Sequence, residues 1–172
     1  MNKFPVKDIY GKIINKIKNY SSHEIKSITY KYLLLKFDVS STDILLNRNI
    51  IFPENIDDIL LNDIKKINDG YPIQYITCSE FFLDLKFYIN NNVLIPRPET
   101  EELVTNVIDR EKSNKTKKVL DIGTGSGCIA ISIKKNINSE VHAIDISDEA
   151  IKVAKENSLN LSQEVRFYNQ SL

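Results

Sequence analysis

Val119-Leu120-Asp121-Ile122-Gly123-Thr124-Gly125-Ser126-Gly127 decides the fold. A short apolar run leads into three glycines at alternate positions. Helical spacing then follows over Cys128–Lys135, with Ile129, Ala130 and Ile133 facing inward. Glycine is needed where a backbone turns sharply and comes close to a ligand, because a Cβ would collide. The N–H groups that open the next helix then face that ligand. Downstream, Val141–Ile144 reads as a second strand. A helix capped by Ser147 or Asp148 runs through Asn157, with Ile151 and Ala154 toward the sheet, and Val165–Tyr168 starts a third strand. This alternation is the opening of a doubly wound parallel sheet, so the fold class is α/β. Three short strands with two crossovers bury little for a sheet covered on both faces. The sequence therefore reads as the front part of a longer protein.

Three nucleotide-binding patterns compete for the loop. A P-loop requires Gly-Lys-Ser/Thr, and no Lys follows Gly127. The dinucleotide fingerprint started at Gly123 would place its third glycine at Cys128; a small-residue variant stays open as a poorer match. The observed Gly-x-Gly-x-Gly, preceded by Asp121, resembles the loop of the Rossmann-like methyltransferases. That resemblance implies a loop wrapped around the methionine part of S-adenosyl-L-methionine. Asp145 ends the second strand about two dozen residues after Asp121, near the spacing of a ribose-binding acid. Its two oxygens suit the two ribose hydroxyls, at about 1.5–3 kcal/mol per charge-assisted bond. Asp121 either sets the loop geometry or meets the methionine ammonium. The candidate cofactor-binding set is thus Asp121, Gly123, Thr124, Gly125, Ser126, Gly127 and Asp145. The plainer alternative is a strand–turn–helix with packing glycines and a solvated Asp145. The acid and the βαβ context together weigh against it.

Residues 1–70 read as successive helices. Val6, Ile9, Ile13, Ile17 and Tyr20 fall at helical spacing. Ser21 and Glu24 form a capping box for a second helix lined by Ile25, Ile28, Tyr32 and Leu35. Ser40–Asp43 caps a short helix ending near Asn47. Pro53 precedes a stripe of Ile56, Ile59, Leu60, Ile64 and Ile67, closed by Gly70 and Pro72. A helical bundle is expected. From Tyr71 the pattern changes: Glu80–Leu83 and Leu85–Ile89 can pair as a hairpin around Leu83–Asp84, whose turn chemistry is weak. Val93–Ile95 is extended. Pro98 then opens a helix with Glu99, Glu101 and Glu102 at its positive end and Leu103, Val104, Val107 and Ile108 on its buried side. Glu111–Lys118 is a charged connector.

The chain has 172 residues, 42% apolar, enough for one ordinary domain or for a small domain plus part of a larger one. Its 23 basic and 23 acidic residues cancel, which argues against a protein built chiefly to grip nucleic-acid backbones. Cys78 and Cys128 form no Cys-x-x-Cys, and His23 and His142 lack metal-ligand spacing, so no disulfide scaffold and no metal site are expected. Met1–Pro5 is polar, and no run is long enough to span a membrane. A cytoplasmic location is expected.

Further motifs narrow the resemblance. Leu94-Ile95-Pro96-Arg97-Pro98-Glu99-Thr100-Glu101-Glu102-Leu103-Val104 is similar to the signature that precedes the catalytic domain of the release-factor glutamine N5-methyltransferases. Asp69-Gly70-x-Pro72-Ile73-Gln74-Tyr75-Ile76 resembles that family's entry to its hairpin, and Asp121–Ile131 resembles its cofactor loop. The resemblance implies a helical substrate-recognition domain over 1–70, a β-hairpin linker over 71–95, and an incomplete Rossmann-like methyltransferase domain over 96–172. It implies peptide-chain release factors as protein substrate, S-adenosyl-L-methionine as cofactor, and Arg97, Pro98, Glu99 and Thr100 as a cofactor-side loop. An Arg97–Glu99 surface ion pair on a proline-stiffened linker is the plainer alternative there.

Departures matter too. Thr77-Cys78 stands where the family commonly has Thr-Gly, which alters a turn. Ser171 stands where an acid is common, and Leu172 is a weak candidate for adenine contact. The family's Asn-Pro-Pro-Tyr motif, whose Asn holds the substrate amide, is absent from the chain and is expected beyond Leu172. No catalytic residue is therefore assigned, and this stretch alone is expected to be inactive. Two alternatives remain: glutamine methylation of a ribosomal protein, and a non-catalytic partner-binding fragment.

Overall fold

The computed structural model describes residues 2–112 and 118–171. The chain divides into two compact units, Met1–Thr77 and Cys78–Leu172.

In the first unit, strand β1 (Asn2–Pro5) runs straight into helix α1 (Val6–Ile14). Helix α2 (Ser22–Phe37) starts at the expected capping box. The Ser21 hydroxyl accepts the Glu24 N–H at 3.3 Å, and the Glu24 carboxylate accepts the Ser21 N–H at 2.8 Å. Helix α3 (Ser41–Leu45) is capped in the same way by Ser40 and Asp43. Strand β2 (Asn49–Phe52), helix α4 (Ile56–Asn68) and the one-turn helix α5 (Ile73–Thr77) complete the unit.

The purely helical reading of 1–70 needs correcting. Strands β1 and β2 pair antiparallel, Asn2 opposite Phe52 and Pro5 opposite Asn49. Four-residue strands paired this far apart leave no local period to read. Helix α1 also stops short of the stripe predicted through Tyr20, yet both later residues stay inside. Ile17 is buried, and the Tyr20 hydroxyl donates to the Ile67 carbonyl at 2.9 Å. The core forms where α1, α2 and α4 bring together Val6, Ile9, Tyr32, Leu33, Leu60 and Ile64. One acid is drawn in with them: Asp63 accepts the Tyr32 hydroxyl at 2.8 Å and pairs with Lys36 at 3.2 Å. Burial, chiefly, pushes the Tyr32 phenol well above its ordinary range.

Cys78 adopts φ +54°, the left-handed conformation that a glycine would take without cost. The turn expected to change is therefore left-handed with cysteine in it. A left-handed non-glycine residue costs about 1–2 kcal/mol, and glycine returns about 0.5–1 kcal/mol of that as unfolded-state entropy. Cys78→Gly is expected to stabilise the chain by roughly 0.5–1 kcal/mol in urea unfolding. A loss of stability would show that the Cys78 side chain contributes more than its backbone strain removes.

The second unit opens with the hairpin β3 (Ser79–Phe82) and β4 (Leu85–Tyr88), Phe82 opposite Leu85. Its turn residues Leu83 and Asp84 have φ +46° and +62°, the pairing of a two-residue I′ turn. Leucine is poorly suited to that conformation. The turn gains support from Glu101, whose carboxylate accepts the Leu83 N–H at 3.2 Å. Glu101 belongs to helix α6 (Pro98–Glu111), which has Pro98 in its first turn and buries Val104 and Ile108. Leu103, expected inside, is 57% exposed. No strand forms over Val93–Ile95, although Val93 is buried. Of the charged connector, residues 113–117 lie outside the described residues, as does Leu172.

Strand β5 (Lys118–Ile122), helix α7 (Cys128–Asn136), strand β6 (Glu140–Asp145), helix α8 (Asp148–Asn160) and strand β7 (Arg166–Asn169) follow. The sheet order is β5-β6-β7, all parallel, with Asp121 beside Ala143 and Ile144 beside Tyr168. Both crossovers step in the same direction. Right-handed crossovers then put α7 and α8 on the same face of the sheet. Side-chain alternation agrees along β5: Asp121, with Val141 and Ala143 beside it on β6, is buried, while Leu120 and Ile122 on the opposite face are 51% and 55% exposed; on that face Ile144 of central β6 is buried. Among the described residues the sheet is covered on one face, not on both as a doubly wound sheet would be.

Candidate functional site

The loop between β5 and α7 is built from left-handed glycines. Gly123, Gly125 and Gly127 have φ of +74°, +54° and +80°. They serve two purposes. No atom lies within 4 Å of where a Cβ would stand on Gly123 or Gly125, so both face open space. A Cβ on Gly127 would instead come within 3.0 Å of Ile131 Cδ1 and 3.2 Å of Ala154 Cβ. Gly127 is therefore a packing glycine, which lets α7 start against α8.

The loop amides are spent inside the protein. Gly123 and Thr124 both donate to the Ile144 carbonyl, at 2.9 and 3.0 Å, and Gly127 donates to the Thr124 carbonyl at 2.8 Å. Gly125 donates to Asp145 Oδ2 at 2.8 Å. Gly127 has no side chain with which to cap α7.

Asp121 and Asp145 thus do separate work. Asp121 is buried and accepts the Thr124 hydroxyl at 2.7 Å. Its carboxyl is held above the ordinary carboxylate range, first by desolvation and further by the nearby Asp145 charge. The Thr124 hydroxyl and the Ala130 N–H oppose that rise. Asp145 is half-buried at the end of β6, where its other oxygen, Oδ1, accepts the Ser147 N–H at 2.9 Å. It ties the loop after β5 to the turn after β6. Each carboxylate oxygen keeps a second lone-pair direction for a ligand hydroxyl. Thr124 and Ser126 are both buried, so they shape the loop from within. Burial also pushes the Cys128 thiol up to about 11, so this cysteine is held as the thiol.

The structure gathers Asp121, Gly123, Thr124, Gly125, Ser126, Gly127 and Asp145 around a single loop. It does not bond the second group to them. Arg97, Pro98 and Glu99 are exposed and Thr100 is half-buried at the start of α6, and no hydrogen bond joins them to the glycine loop among the described residues. Arg97 and Glu99 form no ion pair there. Ser171 is exposed. Sequence reasoning passed over the structural roles of two residues. Glu101, expected at the positive end of α6 and within the signature, also holds the hairpin turn. Asn157 was read only as a helix end, yet it is buried behind the loop. Neither carries a spacing signal, since their partners are backbone groups distant in the chain. Among the described residues no cluster of three or more His, Cys, Asp or Glu could hold a metal ion, and no helix is long and apolar enough to cross a membrane.

A parallel β5-β6-β7 sheet, a Gly-x-Gly-x-Gly loop at its first crossover and an acid ending the second strand define a mixed α/β unit. The family model for ribosomal protein L11 methyltransferase (PrmA) matches residues 98–170. Among curated proteins, the chain is similar to release factor glutamine methyltransferases. It is 38% identical to that of Flavobacterium psychrophilum over 161 residues, 89% of this chain and 55% of that protein. It is 42% identical to that of Bacillus cereus over 138 residues, 78% of this chain and 49% of that protein. The chain thus spans about half the length of the curated relatives it matches. Among solved structures, the ribosomal protein L11 methylase of Lactobacillus delbrueckii subsp. bulgaricus is 36% identical with a TM-score of 0.39, covering 44% of this chain and 40% of that one.

Proposed function

We propose that this chain is the cofactor-loop-bearing part of a protein-glutamine N5-methyltransferase that uses S-adenosyl-L-methionine to methylate the Gly-Gly-Gln glutamine of peptide-chain release factors. The observation that carries the reading is its kinship, over most of its length, with release factor glutamine methyltransferases. The loop chemistry supports the cofactor. With Gly123, Thr124, Gly125 and Gly127 amides already engaged, the loop offers little to a pyrophosphate. Open space at Gly123 and Gly125, beside two acids, suits a ligand with an ammonium group and ribose hydroxyls. When bound, S-adenosyl-L-methionine supplies an electrophilic methyl group on a sulfonium, which needs no metal. Asp145 accepts ribose hydroxyls while keeping its grip on the loop, and Asp121 holds the Thr124 turn and lies toward the methionine ammonium. Arg97, Pro98, Glu99 and Thr100 form the loop beside the cofactor.

The remaining assignments follow from the same kinship. Residues 1–70 form the substrate-recognition bundle, 71–95 the hairpin linker and 96–172 an incomplete methyltransferase domain. A groove of about 650 Å³ on the first unit, lined by Lys16, Lys18, Leu61, Ile64 and Lys65, offers the release factor an apolar floor between cations. The work takes place in the cytoplasm, on a protein rather than a nucleic acid. The chain spans about half the length of the relatives it matches, so methyl transfer is proposed for the whole protein. The test is mass spectrometry of a release factor incubated with S-adenosyl-L-methionine and the whole protein, beside the 172-residue chain. Methyl on that glutamine with the whole protein alone is the expected result. Methyl on a ribosomal protein instead, or on neither, would overturn the assignment.

A further inference from the structure

Asn157 is 1% exposed, on the face of α8 that points away from solvent. Its amide is fully committed to backbone groups. Oδ1 accepts the Tyr88 N–H at 2.7 Å. Nδ2 donates to the Tyr88 carbonyl at 2.8 Å and to the Ser126 carbonyl at 2.9 Å. Both donors of the amide are thereby used, and its acceptor is engaged. The double grip on Tyr88 copies what a neighbouring strand would do for the end of the β3–β4 hairpin. The second donor reaches the peptide that leads into Gly127. One turn earlier on the same face of α8, Ala154 is the surface on which Gly127 rests. Helix α8 thus fixes the glycine loop from behind at two adjacent points. One is a packing contact, and the other is a hydrogen bond shared with the hairpin.

No other residue type does this in the same place. Aspartate has the shape without the donors, leucine has the bulk without the polarity, and glutamine is a methylene too long for a buried site. We infer that Asn157 is a positioning residue that locks the glycine loop to the β3–β4 hairpin, so that the two open as one unit and the cofactor-side geometry depends on the hairpin. Its effect on a ligand rests on the cofactor reading given above; its coupling of loop to hairpin does not.

Hydrogen exchange on the unmodified 172-residue chain in graded urea tests the coupling without any variant. The Tyr88 and Gly127 amides are expected to exchange through one opening, with the same denaturant dependence. Gly127 opening at low urea while Tyr88 stays protected would overturn the coupling. Asn157→Leu and Asn157→Asp are expected to raise exchange at least tenfold over both 79–88 and 123–128. They are also expected to weaken S-adenosylhomocysteine binding about tenfold in calorimetry well below the melting temperature. A merely structural asparagine would lower the melting temperature and leave the affinity of the folded chain unchanged, and that result overturns the positioning role. If the unmodified chain takes up no S-adenosylhomocysteine, the cofactor reading fails for this chain, and the exchange data alone decide the coupling.

Discussion

Gly127→Ala is expected to destabilise the chain by about 1.5–4 kcal/mol, while Gly125→Ala costs only about 0.5–1 kcal/mol. The two glycines share a left-handed backbone, so each substitution carries the same conformational penalty. They differ in what the added methyl meets. At Gly125 it enters open space. At Gly127 it is driven against Ile131 Cδ1 at 3.0 Å and against Ala154, whose Cα at 3.4 Å is backbone and cannot swing aside. Overpacking of this kind adds about 1–3 kcal/mol. Ligand binding should fall in both variants, because a Cβ on Gly125 occupies the space proposed for the cofactor. Urea unfolding and calorimetry with S-adenosylhomocysteine separate the two effects. Equal stability losses would show that Gly127 is a turn glycine like its neighbours and not the seat of the α7–α8 contact.

That distinction marks where sequence reading ran out. The spacing of the three glycines, and the acids before and after them, could be read because they are local. An apolar strand, a turn and a helical period follow one another within a few residues. Which glycine faces a ligand and which faces Ala154 depends on α8, whose relevant turn lies well downstream. The Ser21–Glu24 capping box was legible for the same reason, since both of its bonds close within one turn. The β1–β2 ribbon was not, because its strands pair across three intervening helices. The Leu83–Asp84 turn was placed correctly but its geometry was hidden, since leucine is not a residue that announces a positive φ. What admits it is an acceptor on Glu101 from another element.

The sheet illustrates the same limit from the other side. Alternation along β5 places Leu120 and Ile122 on one face and Asp121 on the other, and apolar residues are ordinarily assigned to the core. Among the described residues the burial runs in the opposite sense. The carboxylate is inside and the two aliphatic side chains are open. The cause is topological. Successive parallel strands added in one direction, each joined by a right-handed crossover, put both helices over the face that carries Asp121. The acid tolerates that position because the Thr124 hydroxyl supplies a hydrogen bond that water would otherwise give.

Asp121→Asn is therefore expected to make the chain more stable at neutral pH and a poorer ligand binder. Burial raises the Asp121 carboxyl above its ordinary range, so the native state holds this proton more tightly than the unfolded chain does. The sign follows. Well below the ordinary carboxylate pKa both states are protonated and the group contributes nothing. As pH rises from that value through the native one, the unfolded chain ionises first, and the native state loses stability relative to it. Above the native value the full cost of a buried charge is present. Asparagine keeps an acceptor for the Thr124 hydroxyl, carries no charge to desolvate, and removes the repulsion with Asp145. The variant's advantage in urea unfolding should grow as pH rises above the ordinary carboxylate pKa and shrink as pH falls toward 4. Ligand binding should move the other way. A charge-assisted hydrogen bond to an ammonium is worth about 1.5–3 kcal/mol, so its loss weakens S-adenosylhomocysteine by roughly 10- to 100-fold. A variant that is more stable yet binds as tightly as the parent would remove Asp121 from the ligand-facing set and leave it as the anchor of the Thr124 turn. A variant that is less stable at pH 7 would mean that the Thr124 bond to the charged form outweighs the cost of burying it.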